Sequence, residues 1–100
     1  MRGIPRSQIE ATLSDAGLEM SPQRFGVLEY LARSGDHPTV DQILDNLKRL
    51  YPRPSRESVC TTLLMLRDAG IVSERIREDR AVCYGLSFEP PHPSDDLEDD

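Results

Sequence analysis

From Ser55 to Leu86 the chain spells one continuous unit that few architectures accommodate. Ser55 offers a hydroxyl to cap a helix start, Val59, Leu63 and Leu66 recur at i, i+4 and i+7, and Ala69-Gly70 supplies the stop. Two short apolar runs follow, Ile71, Val72 and Ile76, then Val82, Tyr84 and Leu86. They are joined through Arg77-Glu78-Asp79-Arg80, which is polar enough to turn but contains no glycine. A helix that runs directly into a hairpin, behind further helices, predicts a mainly α winged helix-turn-helix with four helices and a two-stranded wing.

The upstream segments supply the other three helices. Ser7 is expected to cap the first, with Ile9, Leu13 and Ala16 on one face and Gly17 as its left-handed terminator. Ser21-Pro22 opens the second, because proline at the first helical position loses no hydrogen bond. Phe25, Leu28, Leu31 and Ala32 form its apolar stripe. Ser34-Gly35-Asp36-His37-Pro38 breaks the chain, and Thr39 with Gln42 three residues on reads as a capping box. The third helix is expected to bury Ile43, Leu44, Leu47 and Leu50 before Pro52 and Pro54 force an extended link to Ser55.

One hundred residues make one small domain, read here as 1–88 followed by a tail at 89–100. The net charge of −6 argues against a polyanion partner until it is divided along the chain. The tail holds Glu89, Asp95, Asp96, Glu98, Asp99 and Asp100, leaving 12 basic side chains matched by as many acidic ones before it. A proline-rich acidic segment buries too little apolar area to offset its ordering entropy, so the tail is expected to be disordered and to serve solubility. A sharper alternative is competition with phosphate for the basic side chains. There is no apolar run long enough to span a bilayer and no secretory start, so a cytoplasmic location is expected. Cys60 and Cys83 lie too far apart for a Cys-x-x-Cys motif and read as reduced thiols.

Chemistry-bearing residues gather on the fourth helix and the hairpin. Arg56, Ser58, Thr61 and Thr62 lie near the helix start, where side chains enter a major groove, arginine reading guanine and hydroxyls making weaker contacts. Arg75, Arg77 and Arg80 in the hairpin, with Arg24 and the Lys48-Arg49 pair at the flanks, are candidates for phosphate contacts. Each arginine alone is an ordinary surface charge; the case rests on convergence. Cys60 beside Arg56 reads first as a packing residue. His37 stands alone among the first 88 residues, and a metal site needs three or four converging ligands, so no cofactor is expected. No nucleophile elbow or phosphate loop is present, which argues against an enzyme and a small-molecule substrate.

With these residues in place, the chain from about Ala11 to Leu86 resembles the DNA-binding domain of the ferric uptake regulator family of metal-dependent bacterial repressors. The resemblance is carried by Gly17-Leu18, Ser21-Pro22-Gln23-Arg24, Val27-Leu28 and Leu31, then His37, Ser58-Val59, and Leu66-Arg67-Asp68-Ala69-Gly70-Ile71-Val72. It implies a winged helix with the fourth helix reading DNA. There are departures. Where the family has a tyrosine and an arginine that contact DNA, this chain has Cys60 and Thr61, and Glu19 stands near a position that is often basic. His37 matches a family metal ligand, but the ligand expected at the end of the second strand is replaced at Gly85, and the family's metal-binding dimerisation domain has no counterpart in these residues.

Two functions are therefore weighed. The first is a DNA-binding transcription regulator, a repressor by resemblance, without its own metal sensing. Its contacts are too few for tight binding alone, so a homodimer or partner regulator is expected, docking through the first helix, Leu18 and Met20. The second is a protein-interaction module on the same fold that binds another regulator and not DNA.

Overall fold

The computed structural model describes residues 4–34 and 37–87. The expected tail at 89–100 lies outside the described residues. Four helices, α1 (Arg6–Asp15), α2 (Pro22–Ser34), α3 (Val40–Leu50) and α4 (Arg56–Asp68), are followed by strands β1 (Val72–Ile76) and β2 (Val82–Leu86). The winged helix-turn-helix expected from the sequence is the fold observed.

Helix ends are set by local chemistry. Thr39 and Gln42 form the reciprocal capping box, the Ser55 side chain accepts from the Ser58 amide, and the Ser21 hydroxyl accepts from the Arg24 amide at 3.1 Å. The α1 start differs from expectation. Pro5, not Ser7, occupies the cap position with extended backbone and no side-chain cap bond, so Ser7 lies inside the helix. Proline holds its φ without assistance, which places the first helical turn earlier than a serine cap would. The ends of α1 and α4 share one device. Gly17 and Gly70 take positive φ (77° and 80°), letting Leu18 N–H reach Leu13 O and Ile71 N–H reach Leu66 O.

The core lies among all four helices and the base of the hairpin. Ile9, Leu13, Val27, Leu28, Ile43, Leu47, Val59, Leu63 and Leu66 are fully buried. At roughly 25 cal/mol per Å² of apolar surface, burying each of these side chains contributes on the order of 1.5–3 kcal/mol before entropy is counted. Two expectations need correction, those for Leu50 and for Leu18 with Met20. Leu50 is 54% exposed, because α3 ends where the backbone turns extended at Tyr51, whose ring packs against Gly26 in its place. Leu18 and Met20 are half-buried against the core, so only part of each side chain is open to a partner. Ile76 is 70% exposed, since it lies towards the tip of the hairpin, beyond the packed end at Val72.

The antiparallel pair runs from Val72 opposite Leu86 to Ile76 opposite Val82. At its tip Arg80 N–H donates to Arg77 O, Arg77 N–H donates to Ala81 O, and Arg80 takes φ 70°. This is a type I turn closed by a left-handed residue, the loop geometry that usually takes glycine. On the free edge of β2 Thr39 bridges Cys83, and Tyr84 N–H donates to Pro38 O. The wing is thereby tied to the start of α3.

Candidate nucleic-acid interface

α4 packs on α2 and α3 and against β1, which leaves one long side open. Val59, Leu63 and Leu66 point inward, so the 3.6-residue period turns Glu57, Thr61, Leu64 and Asp68 outward, and all four are exposed. Of the residues expected to read bases, Thr61 alone is exposed on this side with no partner among the described residues.

The other three are engaged. Gln23 on α2 points its Nε2 at Ser58 O (3.0 Å), Ser58 Oγ (2.8 Å) and Thr62 Oγ1 (2.8 Å). Ser58 and Thr62 thus lie on the flank of α4 that faces α2, and Gln23 sets the rotation of the helix relative to its neighbour. Arg56 donates from Nε to Asp41 Oδ1 at 3.1 Å. That hydrogen bond, with the attraction behind it, raises the guanidinium pKa above its ordinary value. Both partners are well exposed, so the pair is weakly held and a competing phosphate can replace the carboxylate.

The flanking cations divide in the same way. Arg24 donates to Glu19 O at 2.6 Å and lies 3.0 Å from Met65 Sδ, strapping the α1–α2 turn to α4. Arg77 sits near Cys83 Sγ and Asp79, and its pKa is raised chiefly by the thiol and then by Asp79. Arg75 and Arg80 are exposed and carry no partner among the described residues, as do Lys48, Arg49 and Arg53. Thr61, Arg75 and Arg80 are therefore exposed and unpartnered among the described residues, whereas Arg24, Ser58 and Thr62 brace α4.

A second brace went unnoticed in the sequence. Arg67 donates to Glu74 Oε1 at 2.8 Å and to Asp68 Oδ1 at 3.3 Å, and the other Glu74 oxygen accepts from Tyr84 OH at 3.2 Å. This chain of bonds couples the end of α4 to both strands. Burial, reinforced by the Glu74 charge, pushes the Tyr84 hydroxyl up to about 12. The only signal for it was the cross-strand pairing of Glu74 with Tyr84, which requires the register to be known.

His37 is half-buried with its ring against Gly85. A Cβ at residue 85 would fall 2.5 Å from His37 Cδ2 and 2.7 Å from Nε2. The histidine thus fills the space that a ligating side chain at that position needs, and among the described residues no three His, Cys, Asp or Glu side chains converge as a metal site. These residues do not fit a metal shared between positions 37 and 85. Cys60 is half-buried against the core and Cys83 is buried, both as free thiols. Among the described residues no helix is long and apolar enough to cross a membrane.

Comparison with known proteins agrees with this architecture. The sequence profile of the Ferric uptake regulator family matches residues 15–94. The peroxide operon regulator of Bacillus subtilis is 40% identical over 63 residues, which is 63% of this chain and 43% of that protein. A solved ferric uptake regulator of Vibrio cholerae superimposes with TM-score 0.71 at 27% identity, over 83% of this chain and 64% of that one. A zinc-bound manganese uptake regulator gives TM-score 0.74 at 25% identity, over 84% of this chain and 63% of that one. The chain spans less than half the length of the curated relatives it matches. Profile, fold and helix order agree, and the chain belongs to the ferric uptake regulator family.

Proposed function

We propose that this chain is the DNA-binding module of a transcription regulator, a cytoplasmic repressor that acts without metal sensing through His37. The observation that carries the reading is the open side of α4 flanked by a wing with two unpaired arginines, Arg75 and Arg80. A helix held this way, with cations beside it, suits insertion into a major groove while the wing follows a phosphate strand. The relatives bear the names of regulators and repressors, which supports a regulatory and non-enzymatic role. The His37 ring against Gly85 supports the absence of metal control at that pair. One such module makes few contacts, so specific affinity calls for a second copy or a partner regulator.

A second reading, a module that binds another regulator and not DNA, is favoured by the carboxylates that already hold Arg56 and Arg67. The two are separated by titrating fluorescent genomic DNA fragments with the full chain and with a version ending at Phe88, at low and moderate salt. The DNA reading requires affinity that falls steeply with salt. Absence of binding by both versions at low salt excludes it in favour of the interaction module, and binding only after truncation assigns the acidic tail an inhibitory role.

A further inference from the structure

The open side of α4 has an unusual composition for a base-reading surface, with no free arginine or lysine on it. Its four exposed side chains are Glu57, Thr61, Leu64 and Asp68. Asp68 is paired at 3.3 Å with Arg67, whose shorter bond goes to Glu74. That leaves Glu57 as the unpaired carboxylate of this side among the described residues, followed by the Thr61 methyl and by Leu64, which is 42% exposed. A carboxylate accepts hydrogen bonds and donates none, so it cannot bind the guanine edge, whose major-groove groups are acceptors. Of the two major-groove donors, the cytosine N4 amino group is its better complement, because the adenine N6 amino group lies beside the N7 acceptor, which repels a carboxylate. The apolar groups complement the thymine 5-methyl.

We infer that Glu57, Thr61 and Leu64 make α4 a pyrimidine reader, in which Glu57 selects a cytosine and Thr61 with Leu64 selects thymines beside it. The inference rests on the DNA-binding reading and supplies its specificity. The spacing suits it. At 1.5 Å rise per residue, Glu57 to Leu64 spans about 10 Å, close to three base steps of 3.4 Å and within a groove about 12 Å wide. Charge placement agrees as well. The unpaired cations Lys48, Arg49, Arg75 and Arg80 lie on α3 and the wing, the elements packed against α4, and not on its open side. A glutamate positioned against phosphate would be repelled, and at a cytosine it is satisfied. Arg56, at the same end of the helix, is turned to Asp41 on α3 and does not share this side.

The test is selection from a randomised duplex DNA library at low salt by the full chain, E57Q, E57A and L64A, followed by affinity measurements on the selected duplex with thymine replaced by deoxyuridine. The side chains changed are exposed, and unaltered circular dichroism and melting confirm that each variant folds. The expected result is a cytosine followed by thymines for the parent chain, and loss of the cytosine preference alone in E57A. Deoxyuridine should weaken binding by the parent about fivefold, and L64A should be less sensitive to the change. If the parent chain binds duplexes but E57A and E57Q select the same bases, or deoxyuridine has no effect, the pyrimidine assignment is overturned and the DNA-binding reading stands. If neither the parent chain nor its version ending at Phe88 binds a duplex at low salt, both are overturned.

Discussion

Replacing Gly26 by alanine sets two opposed effects against each other, and the structure decides which prevails. In the middle of an open helix the change gains about 1 kcal/mol, because glycine loses the most backbone entropy on folding. Gly26 is not in the open. A Cβ there falls 2.7 Å from Leu47 Cδ2 and 2.9 Å from Tyr51 Cε2. Leu47 is fully buried on α3, so it has no free volume to retreat into, and Tyr51 closes that end of the core. Overpacking of this kind costs about 1–3 kcal/mol, which outweighs the propensity gain and leaves a net loss of about 1 kcal/mol. For a domain of this size that lowers Tm by roughly 4–8 °C. Thermal melting followed by far-ultraviolet circular dichroism reads it, with urea unfolding to confirm that the m-value is unchanged. A Tm above that of the parent chain would refute the account of how α2 and α3 approach each other.

Other perturbations separate stability from binding. R80G should stabilise the domain by about 0.5–1 kcal/mol in urea unfolding, since glycine takes the φ of 70° without strain, and should also lower DNA affinity and reduce the salt slope by about one. T39A removes the capping box of α3 and should cost about 1 kcal/mol by the same assay. Ultraviolet titration should find Tyr84 ionising near the value of about 12 given by burial and Glu74. Because the folded hydroxyl holds its proton more tightly than the unfolded one, this contribution is complete below about pH 10 and is lost as pH rises from there towards 12. A melting temperature that holds constant across that interval would count against the buried hydroxyl. Q23A should leave the core intact yet loosen α4 from α2, seen as faster amide exchange at Ser58 and Thr62.

What the sequence revealed was local. Thr39 with Gln42, Ser55, and the two glycines that end helices act within a few residues of themselves, so their pattern could be read directly. The inward stripe of α4 was equally plain from Val59, Leu63 and Leu66. Its outward side followed from the same period, but the sequence pattern drew attention to hydroxyls and arginine in place of Glu57 and Leu64. What stayed hidden depends on partners distant in the chain. Gln23 reaches Ser58 and Thr62 across more than 30 positions, and Arg56 meets Asp41 only because α3 and α4 pack together. Leu50 satisfied the helical period and still emerged exposed, because periodicity does not say where the neighbouring helix stops.

The central claim is that the outer side of α4 and the wing lie against duplex DNA. The most direct measurement is a titration of the isotopically labelled chain with duplex DNA at low salt, followed residue by residue in amide and methyl spectra. The account predicts that Glu57, Thr61, Leu64, Arg75 and Arg80 shift together, and that the shifts collapse as salt is raised. Shifts confined to α1 and the exposed Leu50 end of α3, or none on α4, would contradict it.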